Sequence, residues 1–352
     1  RLEFRPLELT FSDLSGPLSW RQRGEEGGLE GRIEGRLLGG PVRADVDTLG
    51  GGLGLSGSAE VAALARWGGL ADSADLASGR FAWQGRLAIG ENRVHLGLDS
   101  GLEGLGISLP APLGKSAAER RPLRLDMDLT EGRLEGRLGD EISLRWRALP
   151  GDGPGQGQVW VGRAPTAGWP EGEGWRVDAY QPRLDPARWA EALGGLGGLA
   201  GGGGATALRE LRLATDCLES DGRCIGSLAA EGRPQAGGGW RVALEGSLLA
   251  GQLDYRPNLP QPLDISLMRL SLDGLTPEPE AMGSLFDEIA TPPEPAPFPD
   301  WVGELPDGRL RIADIERGGQ RLGPFTARWQ ATPERLTVAP LGLTLGQISA
   351  RG

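Results

Sequence analysis

The side chains able to do chemistry are few: one histidine, His95, two cysteines, Cys217 and Cys224, and several close carboxylates. His95 lies in Arg93-Val94-His95-Leu96-Gly97-Leu98-Asp99, where it alternates with Val94, Leu96 and Leu98 and so belongs to the polar side of a strand. A histidine metal triad needs more than one imidazole, and Ser-His-Asp catalysis would rest on this single residue. Glu30 with Glu34, or Asp126 with Asp128, have the composition of a glycosidase pair. Spacings of two and four in a strand instead place each pair on one solvated face. Gly50 to Gly57 (GGGLGLSG) lacks the lysine and the strand-to-helix spacing of a phosphate-binding loop and reads as a turn. Neither a Gly-x-Ser-x-Gly elbow nor a P-loop occurs, so no catalytic residue, metal ligand or cofactor is assigned. The expectation is a protein that is not an enzyme.

Cys217 and Cys224 flank Leu218-Glu219-Ser220-Asp221-Gly222-Arg223, and Asp-Gly marks a hairpin turn. A disulfide across that turn is geometrically reasonable, with two free thiols as the other reading. Two thiols without histidine or further cysteine make half a zinc site at best. A disulfide would imply an oxidising compartment.

The elements that would have to position any site are strands. Leu123, Leu125, Met127 and Leu129 alternate with Arg124, Asp126 and Asp128, one apolar face and one wet. The same period recurs in Ile142-Leu144-Trp146, Val159-Val161, Trp240-Val242-Leu244, Leu263-Ile265-Leu267, Leu310-Ile312, Phe325-Ala327-Trp329 and Leu343-Leu345. Gly makes up 60 of 352 residues, spread through the chain as turns and bulges between short strands, apart from eight in the eleven residues Gly194 to Gly204, a loop. Together these predict a mainly β chain, a long antiparallel meander with a few short helices. The helices fall at Ala59–Trp67 after Ser58, at Pro186–Leu193 with Asp185 as N-cap, and near 279–289 after Thr276. The division expected is 1–290 as one continuous stretch, a Pro-rich connector over 291–300, and 301–352 as the next repeat. An internal echo supports a repeat: Gly222-Arg223-Cys224-Ile225-Gly226-Ser227-Leu228 aligns with Gly319-Gln320-Arg321-Leu322-Gly323-Pro324-Phe325, and Leu248 to Leu253 (LLAGQL) with Leu343 to Ile348 (LTLGQI).

A formal net charge of -11 and a pI near 4.9 argue against nucleic acid, whose phosphates need clustered cations. There is no apolar run of about eighteen residues and no signal-peptide pattern in these residues. The abrupt strand-like start at Arg1-Leu2-Glu3-Phe4 and the end at Gln347-Ile348-Ser349-Ala350 read as a middle or C-terminal piece of something longer.

The order of parts from Arg80 to Leu129 is the most specific feature. Two amphipathic strands flank a Gly-rich crossing, then come Leu109-Pro110-Ala111-Pro112-Leu113-Gly114-Lys115 and a strand resuming at Leu123. Pro110 and Pro112 remove two amide donors and fix two φ angles, which predicts an extended or polyproline-like segment at an edge or crossing. With Leu29 to Val46 and Gly303 to Phe325, this arrangement resembles the YhdP branch of the AsmA-like, TamB-related envelope proteins. Asp99-Ser100-Gly101-Leu102 departs from the Ser-Asp-Leu step expected before the Gly. The resemblance implies an open β-groove of the bridge-like lipid-transfer type, part of an inner-membrane-anchored periplasmic protein of a Gram-negative cell. It would pass phospholipid between inner and outer membrane, with acyl chains on the apolar residues named above, other envelope partners being unidentified. The chief rival is a structural or adhesive β-sandwich or solenoid that binds protein or glycan, and it predicts a filled core. An apolar share of 39% is thin for such a core in 37.1 kDa.

Overall fold

The computed structural model describes residues 2–4, 7–23, 26–68, 76–151, 153–194, 208–220, 222–275, 305–332, 335–345 and 348–351. The expected helix over 279–289, the connector over 291–300 and the glycine loop past Gly194 lie outside them. The chain is mainly β, in two compact units: Arg1–Asp178 with Ala187–Leu208, and Ala179–Pro186 with Arg209–Gly352.

In the first unit the elements are β1 (Leu2–Phe4), β2 (Leu9–Ser15), β3 (Leu18–Arg23), β4 (Glu26–Leu37), β5 (Gly40–Asp47), β6 (Gly52–Glu60), α1 (Val61–Trp67), β7 (Ala77–Ile89), β8 (Val94–Ser100), β9 (Leu105–Ile107), β10 (Leu123–Asp128), β11 (Arg133–Leu138), β12 (Ile142–Arg147) and β13 (Gln156–Val161). From β4 to β13 each strand pairs antiparallel with the next, except that β8 pairs directly with β10 and β9 pairs with the start of β7. There follow β14 (Gly174–Leu184) and α2 (Pro186–Gly194), the latter starting at the proline whose fixed φ suits a first helical position. Helix α1 starts two residues later than the sequence suggests. Ser58 and Ala59 stay in β6, paired with Ala82 and Phe81, because the ladder there buries Ala59.

The second unit contains β15 (Leu208–Ser220), β16 (Arg223–Gln235), β17 (Gly239–Glu245), β18 (Leu249–Tyr255), β19 (Leu263–Ser271), β20 (Gly308–Arg317), β21 (Gln320–Leu322), β22 (Phe325–Thr332), β23 (Arg335–Leu345) and β24 (Ile348–Arg351). Its described pairs are antiparallel with one exception: β19 and β20 run parallel, Leu263 beside Gly308 and Ile265 beside Leu310. A parallel step requires a long return connection. The meander is therefore mixed. The reason escaped the periodicity, because alternation along a strand says nothing about its direction relative to a neighbour.

The internal echo is visible in the backbone. Gly226 (φ +149°) and Gly323 (φ +119°) occupy the aligned positions, each bending the strand that returns from a hairpin, where only glycine avoids the Cβ penalty. A third instance was not apparent in the sequence: Gly16-Pro17 separates β2 from β3, both paired with β4, as Gly323-Pro324 separates β21 from β22, both paired with β20.

The Pro-Ala-Pro segment is the clearest correction. It is not extended. The amides of Leu113 and Gly114 both donate to the Pro110 carbonyl, at 3.1 and 3.0 Å, closing a tight turn that returns Lys115 to pair with Ile107. The prolines remove donors but leave the Pro110 carbonyl to accept, and Arg121 fastens the turn by donating to the carbonyls of Pro112 (2.8 Å) and Gly114 (2.7 Å). Lys115 is buried, with Nζ donating to Leu105 O (2.9 Å) and Ser116 O (3.0 Å).

Candidate functional site: an apolar sheet face

Cross-strand partners point to the same side of a sheet, so the registers define its faces. In the first unit one continuous row reads Ile33, Ala44, Leu55, Gly85, Leu98, Leu125, Gly136, Leu144, Val159 across nine strands. The row beside it reads Val46, Leu53, Leu87, Leu96, Met127, Leu134, Trp146 and Gly157. Leu123, Ile142 and Val161 continue the same face toward one strand end, and half-buried Leu129 follows β10 at the other. The structure therefore gathers the first-unit candidates onto one surface. It adds Ile33 and Leu55, from strands not assigned to faces in the sequence, and Leu87, Leu96 and Leu98, which the alternation in Arg80 to Ser100 would have supplied had that stretch been assigned as the later strands were.

Second-unit candidates gather likewise. Val242, Ile265 and Leu310 share a row with Leu211, Leu253, Ala327 and Leu341. Leu244, Leu267, Ile312 and Phe325 share the next, and Trp240, Leu263 and Trp329 a third with Tyr255 and Gly308. Leu343 is paired with Phe325 and Leu345 with Ile348 on the strands, while their side chains are outside the described ones.

What matters is how little covers these rows. Leu55, Leu98, Leu125, Leu144 and Val159 lie in the interior of a nine-strand ladder, with neighbours on both sides, yet each remains half-buried. A packed second sheet would bury them fully. Leu125 and Leu144 close over Gly136, where an added Cβ would lie 2.8 and 2.9 Å from them. Among the described residues a filled core of the first unit gathers Leu37, Val42, Ala59, Val61, Phe81, Trp83, Leu102 and Leu105, under α1 and the crossing between β8 and β10, while Val46 and Leu96 of the adjacent row are buried as well. In the second unit a smaller core forms around Leu267, Ile312 and Ile315.

The opposite face carries the charges. Arg32 pairs with Asp45 (2.7 Å), Arg43 with Glu34 (2.9 Å), His95 with Asp126 (3.1 Å) and Arg124 with Asp99 (3.5 Å), while Glu30 meets Arg21 (2.7 Å). The carboxylate pairs considered for catalysis are thus cross-strand ion pairs of a solvated face. Asp128 caps a turn, and the Glu131 and Thr130 amides that donate to it hold its carboxyl below the usual range. Over β12 and β13 this face has its own cover: the Arg145 guanidinium lies against the rings of Trp160, 1% exposed, and Trp169, centroids 5.1 and 4.4 Å away. Burial there pushes Arg145 below its ordinary pKa.

Cys217 and Cys224 form a disulfide, Cα atoms 5.2 Å apart, across the β15–β16 hairpin. Among the described residues no group of three or more His, Cys, Asp or Glu is placed to hold a metal, and no helix is long and apolar enough to cross a membrane.

The chain is thus a mainly β protein whose ladders carry charges on one face and apolar rows, partly covered, on the other. Its sequence matches the YhdP protein family over residues 1–352, and the chain belongs to that family. It is accordingly an AsmA-like protein of the bacterial cell envelope. No curated protein and no solved structure matches it.

Proposed function

We propose that the apolar face holds phospholipid acyl chains and that this chain is a segment of a periplasmic bridge moving phospholipid between the inner and outer membranes, supporting outer-membrane integrity. The observation that carries the reading is the half-buried interior row Leu55–Leu98–Leu125–Leu144–Val159. Apolar side chains at the centre of a sheet are left in contact with solvent unless something transient covers them. An acyl chain laid there gains about 0.8 kcal/mol per buried methylene. Movement along the rows needs no catalysis, only neighbouring positions of similar affinity, and the repeated Leu, Ile, Val and Gly pairs supply that. Family membership supports the compartment, and a disulfide fits an oxidising one.

The test is organic extraction of envelope-expressed protein followed by mass spectrometry, with vesicle-to-vesicle transfer alongside. About one or more phospholipids per chain, lost together with transfer in Leu125→Asp/Leu144→Asp while the far-ultraviolet dichroism is unchanged, is the expected result. A folded wild-type protein free of lipid sinks the reading.

A further inference from the structure

In each unit, packed side chains gather toward one strand end of the apolar face and tryptophan toward the other. In the first unit the packed end holds Phe81 and Trp83, while Trp20, Trp146 and Trp175 stand at the opposite end. In the second the packed residues are Leu267, Ile312 and Ile315, and the row at Leu263, four residues back along β19, contains Trp240, Tyr255, Gly308 and Trp329. Phe81 and Trp83 are buried, whereas Trp20 is 67% exposed and Trp146, Trp175, Trp240 and Trp329 are half-buried.

Four of these rings each lie over a glycine. A Cβ added to Gly27 would stand 2.3 Å from Trp20, on Gly155 2.7 Å from Trp146, on Gly157 2.3 Å from Trp175 and on Gly308 2.5 Å from Trp329. The indole N–H groups of Trp146 and Trp329 are anchored alike, donating to the carbonyls of Pro154 (2.9 Å) and Pro306 (2.8 Å) just ahead of the neighbouring strand. The polar edge of each ring is thus turned to the strand end, and its apolar body belongs to the face. An indole is best placed where an apolar medium meets water, which is why Trp and Tyr collect at the headgroup level of membranes.

The spacing between rim and packed end fits a lipid tail. Leu87 shares the row of Trp146, in which Val46 and Leu96 are themselves buried, and Trp83 stands four residues further along β7. Four residues span about 14 Å of strand. The interval from Leu263 to Leu267 in the second unit is the same. One leaflet of a bilayer holds about 15 Å of hydrocarbon. In the first unit the row in between is the half-buried one that runs from Leu55 to Val159.

From this we infer that the tryptophans form an interfacial rim that orients the phospholipid. Its glycerol-ester region lies against Trp20, Trp146 and Trp175 in the first unit and against Trp240 and Trp329 in the second. The tails run along the strands toward the packed end, and the headgroup lies beyond the turns in water. This rests on the lipid-carrying reading and adds to it an orientation.

The experiment loads the full chain from vesicles with phosphatidylcholine bearing a diazirine either beside the ester carbonyl or at the end of the acyl chain, irradiates it and maps the adducts by mass spectrometry. Expected are ester-side adducts near Trp20, Ile89, Trp146 and Trp329, and chain-end adducts toward Leu123, Ile142 and Leu267. Trp20→Leu should lower the ratio of ester-side to chain-end adducts on β3 and β4 by about threefold or more, and Trp146→Leu should do so on β12 and β13. The exposure of Trp20 makes the first variant insensitive to folding, checked by its melting temperature. A purely structural tryptophan would move that temperature and leave the ratio alone. The same adduct map for both probes, an inverted one, or an unchanged ratio in both variants overturns the rim and keeps the lipid reading. Folded protein that is labelled by neither probe and yields no lipid on extraction removes both.

Discussion

Trp83 and Ile89 stand on one strand, β7, and on the same face of it, yet Trp83 is 8% exposed and Ile89 50%. Six residues separate a finished core from an apolar residue in water. Each has one ladder partner, Gly57 of β6 for Trp83 and Val94 of β8 for Ile89, so the difference comes from what lies over them. Trp83 is packed beneath the cluster that α1 and the crossing through Leu102 and Leu105 complete, and Ile89 is beyond that cover. If the proposed lipid contact is right, it and stability belong to different stretches of one face, and substitutions should separate them.

The largest effect belongs to the covered end. Phe81→Ala leaves a void in a fully packed cluster and should cost about 3–5 kcal/mol, read as a lowered denaturant midpoint at unchanged slope. Ile89→Ala should cost less than about 1 kcal/mol because its side chain is half in water already. Equal costs would mean that the exposed end is covered in solution and would abolish the contrast. Next comes the second unit's hairpin, where Cys217→Ser/Cys224→Ser opens a loop of about eight residues and should cost about 2 kcal/mol. The same loss should appear in wild-type protein melted with reductant; no loss would show that the thiols are not joined in solution.

Much of this was legible in the residues. Period-two alternation in Leu123–Leu129 and Ile142–Trp146 placed strands and faces, because one solvated face leaves its signature in every second residue. The cover at the Trp83 end was not legible: Leu102 and Leu105 sit in a crossing with no period, and only the pairing of β8 with β10 shows that it is lifted out of the ladder. The turn at Pro110–Gly114 was hidden for a related reason. A proline pattern fixes φ and deletes donors but does not say which carbonyl will accept the amides that follow. The parallel β19–β20 step and the Gly16-Pro17 counterpart of Gly323-Pro324 needed the registers as well. The direct pairing of Asp254 with Asp264, ten residues apart, is likewise a consequence of turn length that no local motif carries.

Leu125→Ala is the sharper form of the same contrast. Trimming a half-buried side chain in the interior row should cost about 1 kcal/mol in stability, far below Phe81→Ala, while reducing lipid retention severalfold. The ratio of the two effects is the measurement. A variant that loses stability and lipid in proportion would make Leu125 ordinary core.

The smallest effect expected is the pH dependence that Asp254 and Asp264 contribute on the charged face of the second unit. Arg309, by its hydrogen bond and charge, holds Asp264 below the usual carboxylate range, and burial raises Asp254 by less than Arg241, Gln235 and Gln252 lower it. A carboxyl whose folded pKa is depressed binds fewer protons folded than unfolded, so its contribution is complete above the unfolded value of about 4 and is lost as pH falls through the folded one. Melting temperature should accordingly be flat with respect to these two groups from pH 7 to about 5 and decline below about 4. In Asp264→Asn that decline should be shallower than in wild type, whereas in Leu125→Ala it should be unchanged, since the apolar face carries no titrating group near that row. An identical acid limb in Asp264→Asn would mean that Asp264 is not held by Arg309 in solution. The paired Asp254 would then face a cross-strand carboxylate that lacks the cation offsetting it.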